Sequence, residues 1–182
     1  HFACVKGHVD VIERFLECKF DPVFYDEISP RCLITASRYE SIDVIDRLLN
    51  FGLSANVKDE TGSTALMEAC KKGSIAVIDR LVANGANILG ADDKGNTALS
   101  EACKNKKEEV VDRLLGYGAD VNVQDENLDT PLIIASKFNA DLIVKVLLRY
   151  KPDVNITNSH GKTALDVARN STIRKLIQDY QS

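Results

Sequence analysis

The chain has 182 residues, of which 45% are hydrophobic and 27% are charged, and this ordinary globular composition excludes an intrinsically disordered chain. Its formal net charge of −4 disfavours a dedicated nucleic-acid binder, which normally carries a basic face. No stretch approaches the roughly 18 apolar residues of a membrane span. The five cysteines form no C-x-x-C pair, so we expect a reducing compartment, which is the cytoplasm or the nucleus.

A spacing of 33 residues organises the sequence, because the chain matches itself when it is shifted by that distance. One aligned column consists of Leu33, Leu66, Leu99, Leu132 and Leu165. In chain order the predicted units are residues 1–25 (partial), 26–58, 59–91, 92–124, 125–157 and 158–182 (a C-terminal cap). We expect them to form a single domain.

Each unit predicts two short helices, as residues 59–91 illustrate. A turn at residues 59–62 precedes Thr64, whose hydroxyl suits a helix N-cap. Gly73 interrupts the first helix, and Gly85 stands just past the second, where a left-handed cap belongs. Helices of about ten residues are not stable alone in water, so their apolar faces must be buried by stacking on neighbouring units.

These motifs resemble the ankyrin repeat. The family's D-x-x-G-x-T-P-L-h-x-A pattern is matched by residues 125–135, and by residues 59–66 and 92–99 with Ala in place of Pro. Residues 118–122 match the closing G-A-D-V-N. The resemblance covers essentially the whole chain. It implies an all-α solenoid of stacked helix-turn-helix units with β-hairpin loops, which we call fingers, and a concave groove.

Three positions depart from the family pattern. Ser29 and Arg31 stand where Gly and Thr are expected, and loss of the capping Thr should cost about 1 kcal/mol. Lys151-Pro152 replaces Gly-Ala after the fifth unit. We therefore expect the second unit to be less well capped than the units that follow it.

Nothing in the sequence predicts catalysis. The histidines His1, His8 and His160 lie in different units, and no phosphate loop, nucleophile elbow or zinc-binding helix occurs. Cys70 and Cys103 follow the small Ala of the first helix, where a buried packing role is expected. We expect no enzymatic activity, no metal site and no cofactor.

A basic column lies on the predicted first helices, at positions that face the concave groove in ankyrin repeats. Acidic pairs at the fingertips, such as Asp59-Glu60 and Asp92-Asp93, run beside it. Two interpretations remain open, namely mutual neutralisation and a polarised groove that orients a partner segment carrying both signs. The predicted partner-binding residues are Tyr25, Ile28, Arg38, Tyr39, Lys71, Lys72, Lys104, Lys137 and Phe138.

Some of these residues also allow a purely structural interpretation. Tyr39 and Phe138 are candidate aromatic anchors, or they fold over a neighbouring helix. A second row, on the predicted outer helices, favours stem packing and ion pairs four residues apart over phosphate binding. This row consists of Arg14, Arg47, Arg80 and Arg113.

One modification follows from the resemblance. Ankyrin repeats with the pattern L-x5-D-V-N can be hydroxylated at the Asn by an oxygen-dependent asparaginyl hydroxylase, and Asn122 and Asn155 match that pattern. The structural alternative is that each Asn hydrogen-bonds the turn in which it lies.

The function that the resemblance implies is non-catalytic protein recognition by a scaffold or adaptor, through the concave surface of a monomeric array. The chain begins at His1, midway through a predicted first helix, so we read its N-terminus as cut and its C-terminus as a domain end. One alternative is therefore the regulatory segment of a larger enzyme or channel. The other is binding of acidic lipid or nucleic acid by the lysines, which the acidic fingertips disfavour.

Overall fold

The fold is known from a computed structural model, in which residues 31–182 are described, so the predictions for Tyr25, Ile28 and the arginine at position 14 lie outside it. The described residues form ten helices and no sheet, which confirms the predicted all-α class. The helices are residues 31–38 (α1), Ile42–Asn50 (α2), Ala65–Lys72 (α3), Ile75–Ala83 (α4), Ala98–Lys104 (α5), Glu108–Gly116 (α6), Pro131–Lys137 (α7), Asp141–Arg149 (α8), Ala164–Val167 (α9) and Ser171–Gln181 (α10).

Contacts divide the chain into two compact units, His1–Asn87 and Ile88–Ser182, which we call the first and second compact units. In the first compact unit, α3 packs against α4. Its largest fully buried side chains are Leu33, Ile45, Leu66, Met67, Ile78 and Leu81. These apolar residues recur at helical spacing on one face of each helix, which is why the helices form where the sequence predicts them.

The second compact unit contains successive repeats packed in register. Its first helices contact one another in the order α5, α7, α9, and its second helices in the order α6, α8, α10. This is the order of a solenoid, in which each repeat buries its apolar face against its neighbour. The last helix, α10, buries only Ile173 and Ile177, in agreement with the predicted polar cap.

Threonine hydroxyls begin the first helices of four repeats. In each case the side chain of the capping Thr accepts a hydrogen bond from the backbone N–H three residues later, which satisfies a donor that the helix leaves unpaired. The residues are Thr64, Thr97, Thr130 and Thr163. The N-cap predicted for Thr64 is thus confirmed, as are the left-handed positions of Gly73 (φ 93°) and Gly85 (φ 81°).

Main-chain hydrogen bonds join successive fingers in the second compact unit. The backbone N–H of Glu126 donates to the carbonyl of Lys94 at 2.9 Å, and that of Ser159 donates to the carbonyl of Asn127 at 2.9 Å. A Cβ atom at Gly95 would lie 3.0 Å from the backbone N of Glu126, so the approach of the next finger requires glycine there. The antiparallel β contacts within the fingers are single bridges, Lys58 with Thr64 and Ala91 with Thr97.

Left-handed backbone persists where glycine is replaced. Lys151, one of the departures from the family pattern, keeps φ at 54°, and Leu128 adopts φ 57° at the position that Gly95 holds in the preceding finger. Lys106 and Asn139 do the same at the position of Gly73. The register of the repeat, rather than the residue type, therefore fixes the backbone at these positions.

A column of small side chains lies at the centre of the first helices. Cys70 and Cys103 are fully buried, which confirms their predicted packing role. Ser37 and Ser136 occupy the same column and are also fully buried. Burial raises the pKa of the Cys103 thiol far above its usual value, so this thiol stays protonated and is a poor nucleophile.

Candidate functional site

In the first compact unit, two members of the basic column meet one buried carboxylate. Arg38 Nε donates to Glu68 Oε2 at 2.8 Å, and Lys71 Nζ donates to Glu68 Oε1 at 2.9 Å. Burial alone would raise the pKa of the Glu68 carboxyl, but the hydrogen bonds from Arg38 and Lys71 outweigh it and hold the pKa below its usual value. Two cations thus share one carboxylate, and the cluster retains one positive charge.

In the second compact unit, the lysines of the column are held by other partners. Lys104 Nζ hydrogen-bonds the side-chain oxygen of Asn96 and lies 3.7 Å from a carboxylate oxygen of Glu101. Lys137 Nζ donates to Asp129 Oδ2 at 2.5 Å. Both amines are therefore occupied within their own repeat.

The first acid of each fingertip pair belongs to the turn. Oδ1 of Asp59 accepts the backbone N–H of Thr61 at 2.9 Å and that of Ser63 at 3.0 Å. Burial alone would raise the pKa of Asp59, but these hydrogen bonds, aided by the positive charge of Lys71, lower it below its usual value. Asp92 and Asp125 accept two backbone N–H groups in the same way. The predicted acidic rim therefore needs correction, because only the second acid of each pair extends freely from the fingertip.

Three of the predicted partner-binding residues are well exposed at the ends of first helices. Tyr39 follows α1 and is 53% exposed, and Phe138 follows α7 and is 46% exposed. Lys72, the last residue of α3, is also exposed. About half of each aromatic side chain thus remains available for contact with another molecule.

A groove of about 400 Å³ lies beside α1 in the first compact unit. Its described lining residues are Arg31, Ile34, Thr35, Arg38, Asp59, Glu60 and Thr61. Arg31 forms an ion pair with Glu60 across the groove, and Ile34 and Thr35 are buried at its base. The groove therefore has a basic wall on the helix, an acidic wall on the finger and a mainly apolar base.

The two candidate hydroxylation sites differ in their surroundings. Oδ1 of Asn122 accepts the backbone N–H of Asp153 at 2.9 Å, so its amide braces the next loop. Asn56, in the same column, braces Asn87 in the same way. Asn155 is exposed, and only its backbone N–H is engaged with Asp153 in the turn.

One arginine of the outer row has a partner on the preceding second helix. Arg80 Nε lies 3.3 Å from Asp46 Oδ1, and the corresponding acid of the second compact unit, Asp112, pairs with Arg149 at 2.9 Å. For Arg80 the ion pair thus connects two repeats, as the interpretation of the row as structural requires.

The acids that hold the basic column were missed by sequence reasoning. Glu68 and Glu101 are separated by 33 residues and precede a lysine by three, and Asn96 and Asp129 form another such pair. The repeat spacing was therefore a signal that could have found all four. What it could not give is which of these side chains reach which lysine.

Two searches of residues 31–182 gave negative results. No group of three or more His, Cys, Asp or Glu side chains in this range could hold a metal ion. None of the helices in this range combines the length and the apolar character that crossing a bilayer requires.

Comparison with protein families gives one match. A family model described as ankyrin repeats (3 copies) matches residues 33–125 and residues 99–181. A comparison with curated proteins gave no significant match.

Proposed function

This chain belongs to the ankyrin repeat family, and on that premise we propose that it is a scaffold or adaptor that binds a partner protein through the first-helix and fingertip side of its repeats. Ankyrin repeats are generally protein-interaction modules, and the family is typically non-catalytic. In the family's fold this side is the concave one.

The observation that carries the proposal is the exposure of large side chains at the ends of first helices. Tyr39 and Phe138 are each about half exposed, with Arg38 or Lys137 immediately before them. Aromatic and arginine side chains are the residue types that dominate binding energy at interfaces. Because the helices that present them are already packed, their ordering upon binding costs little entropy.

The intramolecular contacts decide which residues can test this proposal. Reversing the charge of Lys71 or Lys137 would place a carboxylate beside Glu68 or Asp129, so a loss of binding could reflect a damaged repeat. Lys72 is exposed and makes no ion pair with another described residue. Lys72 and Tyr39 are therefore the better pair of positions.

The experiment is affinity capture from a cell lysate with the unmodified chain and a Tyr39→Ala/Lys72→Glu variant. The matched control is Phe51→Ala/Arg47→Glu, which removes an exposed aromatic ring and reverses one charge on the second-helix side. We expect a protein that the chain and the control capture and the first variant does not. Identical capture by all three would contradict the proposed surface.

Two further properties belong to this proposal. We place the chain in the cytoplasm or nucleus, since Cys32, Cys70 and Cys103 are free and buried, and we propose that it is monomeric. Light scattering after size-exclusion chromatography tests the oligomeric state. Gain of one oxygen atom in the intact mass, after coexpression with an asparaginyl hydroxylase, tests modification of Asn155 and Asn122.

A further inference from the structure

We propose that the groove beside α1 receives an acidic segment of the partner protein, and that the outer end of the Arg38 guanidinium binds a carboxylate of that segment. This inference rests on the proposed function, because it specifies the chemistry of the partner. It concerns the first compact unit only.

The guanidinium of Arg38 is anchored from one side. Its Nε donates to Glu68 Oε2 at 2.8 Å, and no hydrogen bond joins its two terminal nitrogens to another residue within 31–182. The side chain is 45% exposed and lines the groove. The two terminal nitrogens of a guanidinium form a planar fork that matches the two oxygens of a carboxylate. This fork is already oriented, so binding a carboxylate orders little that is not ordered beforehand.

Charge complementarity favours an anion at this position. Lys71 and Arg38 share the single carboxylate of Glu68, which leaves one positive charge without a matching anion in the cluster. The acids on the opposite wall are already engaged, because Glu60 pairs with Arg31 and Asp59 accepts the backbone N–H groups of its own turn. The groove thus offers an open cationic donor, whereas its carboxylates are occupied.

The same groove disfavours a polyanion. Asp59 and Glu60 line the wall opposite Arg38, and they would repel a continuous row of phosphates. A single carboxylate on a peptide can reach Arg38 while neutral or apolar neighbours lie along Ile34 and Thr35 at the base. A protein segment therefore fits this surface better than nucleic acid or an acidic membrane.

The corresponding position of the second compact unit lacks this feature. The amine of Lys137, in the same column as Arg38, is held by Asp129, which also accepts a hydrogen bond from Asn158 Nδ2 at 3.0 Å. Lysine in addition has no planar fork. Lys137 therefore supplies a control from the same column.

The test uses a fluorescein-labelled peptide of alternating Glu and Leu, with Gln/Leu and Lys/Leu peptides of equal length for comparison, and measures fluorescence anisotropy at low salt. We expect the Glu/Leu peptide to bind more tightly than the other two and to weaken as salt is added. Arg38→Gln should lower its affinity about fivefold or more, and Arg38→Lys should lower it less, since lysine keeps the charge without the fork.

Two further variants distinguish binding from folding. Glu68→Gln removes the shared carboxylate and should raise the affinity, a direction that simple damage to the repeat would not produce. Lys137→Gln, which removes the same charge from the same column, should leave the affinity unchanged. A thermal melt of each variant establishes that it is folded.

Several results would overturn the inference. Equal affinity for the Glu/Leu and Gln/Leu peptides would do so, as would an affinity that Arg38→Gln leaves unchanged. Arg38-dependent binding of single-stranded RNA or of phosphatidylserine vesicles, without binding of the Glu/Leu peptide, would assign the site to another class of ligand. If the capture experiment succeeds and the peptide does not bind, the proposed function stands and this inference alone fails.

Discussion

Replacing one buried serine by alanine should make the chain more stable. Ser136 lies inside α7, is fully buried, and its hydroxyl oxygen has no hydrogen-bond partner. A buried hydroxyl without a partner costs about 1–3 kcal/mol, and Ala gains about 0.5 kcal/mol over Ser in a helix. A cavity the size of one oxygen atom takes back only a few tenths of that. We therefore expect Ser136→Ala to raise the free energy of unfolding by about 1–2 kcal/mol.

The matched control is the same substitution at a serine that is bonded. Ser100 Oγ accepts the backbone N–H of Thr97 at 2.9 Å and donates to the carbonyl of Thr97 at 3.0 Å. Ser100→Ala should therefore destabilise the chain by about 1 kcal/mol. Thermal unfolding reads out both variants, with a change of about 2–4 °C in Tm per kcal/mol for a chain of this size. A loss of stability in Ser136→Ala equal to that in Ser100→Ala would refute the argument, because it would mean that the hydroxyl of Ser136 is satisfied.

Three further changes have expected outcomes. Gly95→Ala should lower the free energy of unfolding by about 1–3 kcal/mol in urea titration, since its Cβ would meet the backbone of Glu126 at positive φ, and an unchanged midpoint would contradict this contact. Leu89→Asn should raise the Tm, because Leu89 is 60% exposed and stands where Asn122 braces the following loop, a hydrogen bond that contributes about 1 kcal/mol; no gain would mean that the introduced amide does not reach its partner. The pKa of Glu68 lies below its usual value of 4.5, so its ion pairs stabilise the fold above that pH and the stabilisation is lost as the pH falls through the lowered pKa; Glu68→Gln should flatten urea titrations between neutral and acidic pH, and an unaltered pH dependence would argue against it.

The helices and their ends could be predicted from the sequence because local chemistry determines them. Thr64 caps a helix through its own hydroxyl, and Gly73 and Gly85 end helices through a backbone region that glycine adopts easily. The same signals recur every 33 residues, so each repeat confirms the others. This redundancy is why the fold class and the solenoid order were predictable without any contact information.

The partners of the basic column could not be predicted in the same way, because they depend on packing between repeats. Glu68 receives Arg38 from the preceding repeat as well as Lys71 from its own helix, and side-chain reach decides such a pairing. The left-handed backbone at Leu128 was likewise hidden, since leucine by itself disfavours that conformation. At such positions the neighbouring repeats override the preference of the residue.

The bonds between the fingers of the second compact unit have a consequence for how such a chain can diversify. They join Glu126 to Lys94 and Ser159 to Asn127 through peptide groups, which every amino acid except proline supplies in full. Swapping the side chains of Glu126 and Asn127 therefore leaves the joint between fingers intact. These two sites are natural places to randomise when a new binding specificity is wanted on an unaltered scaffold.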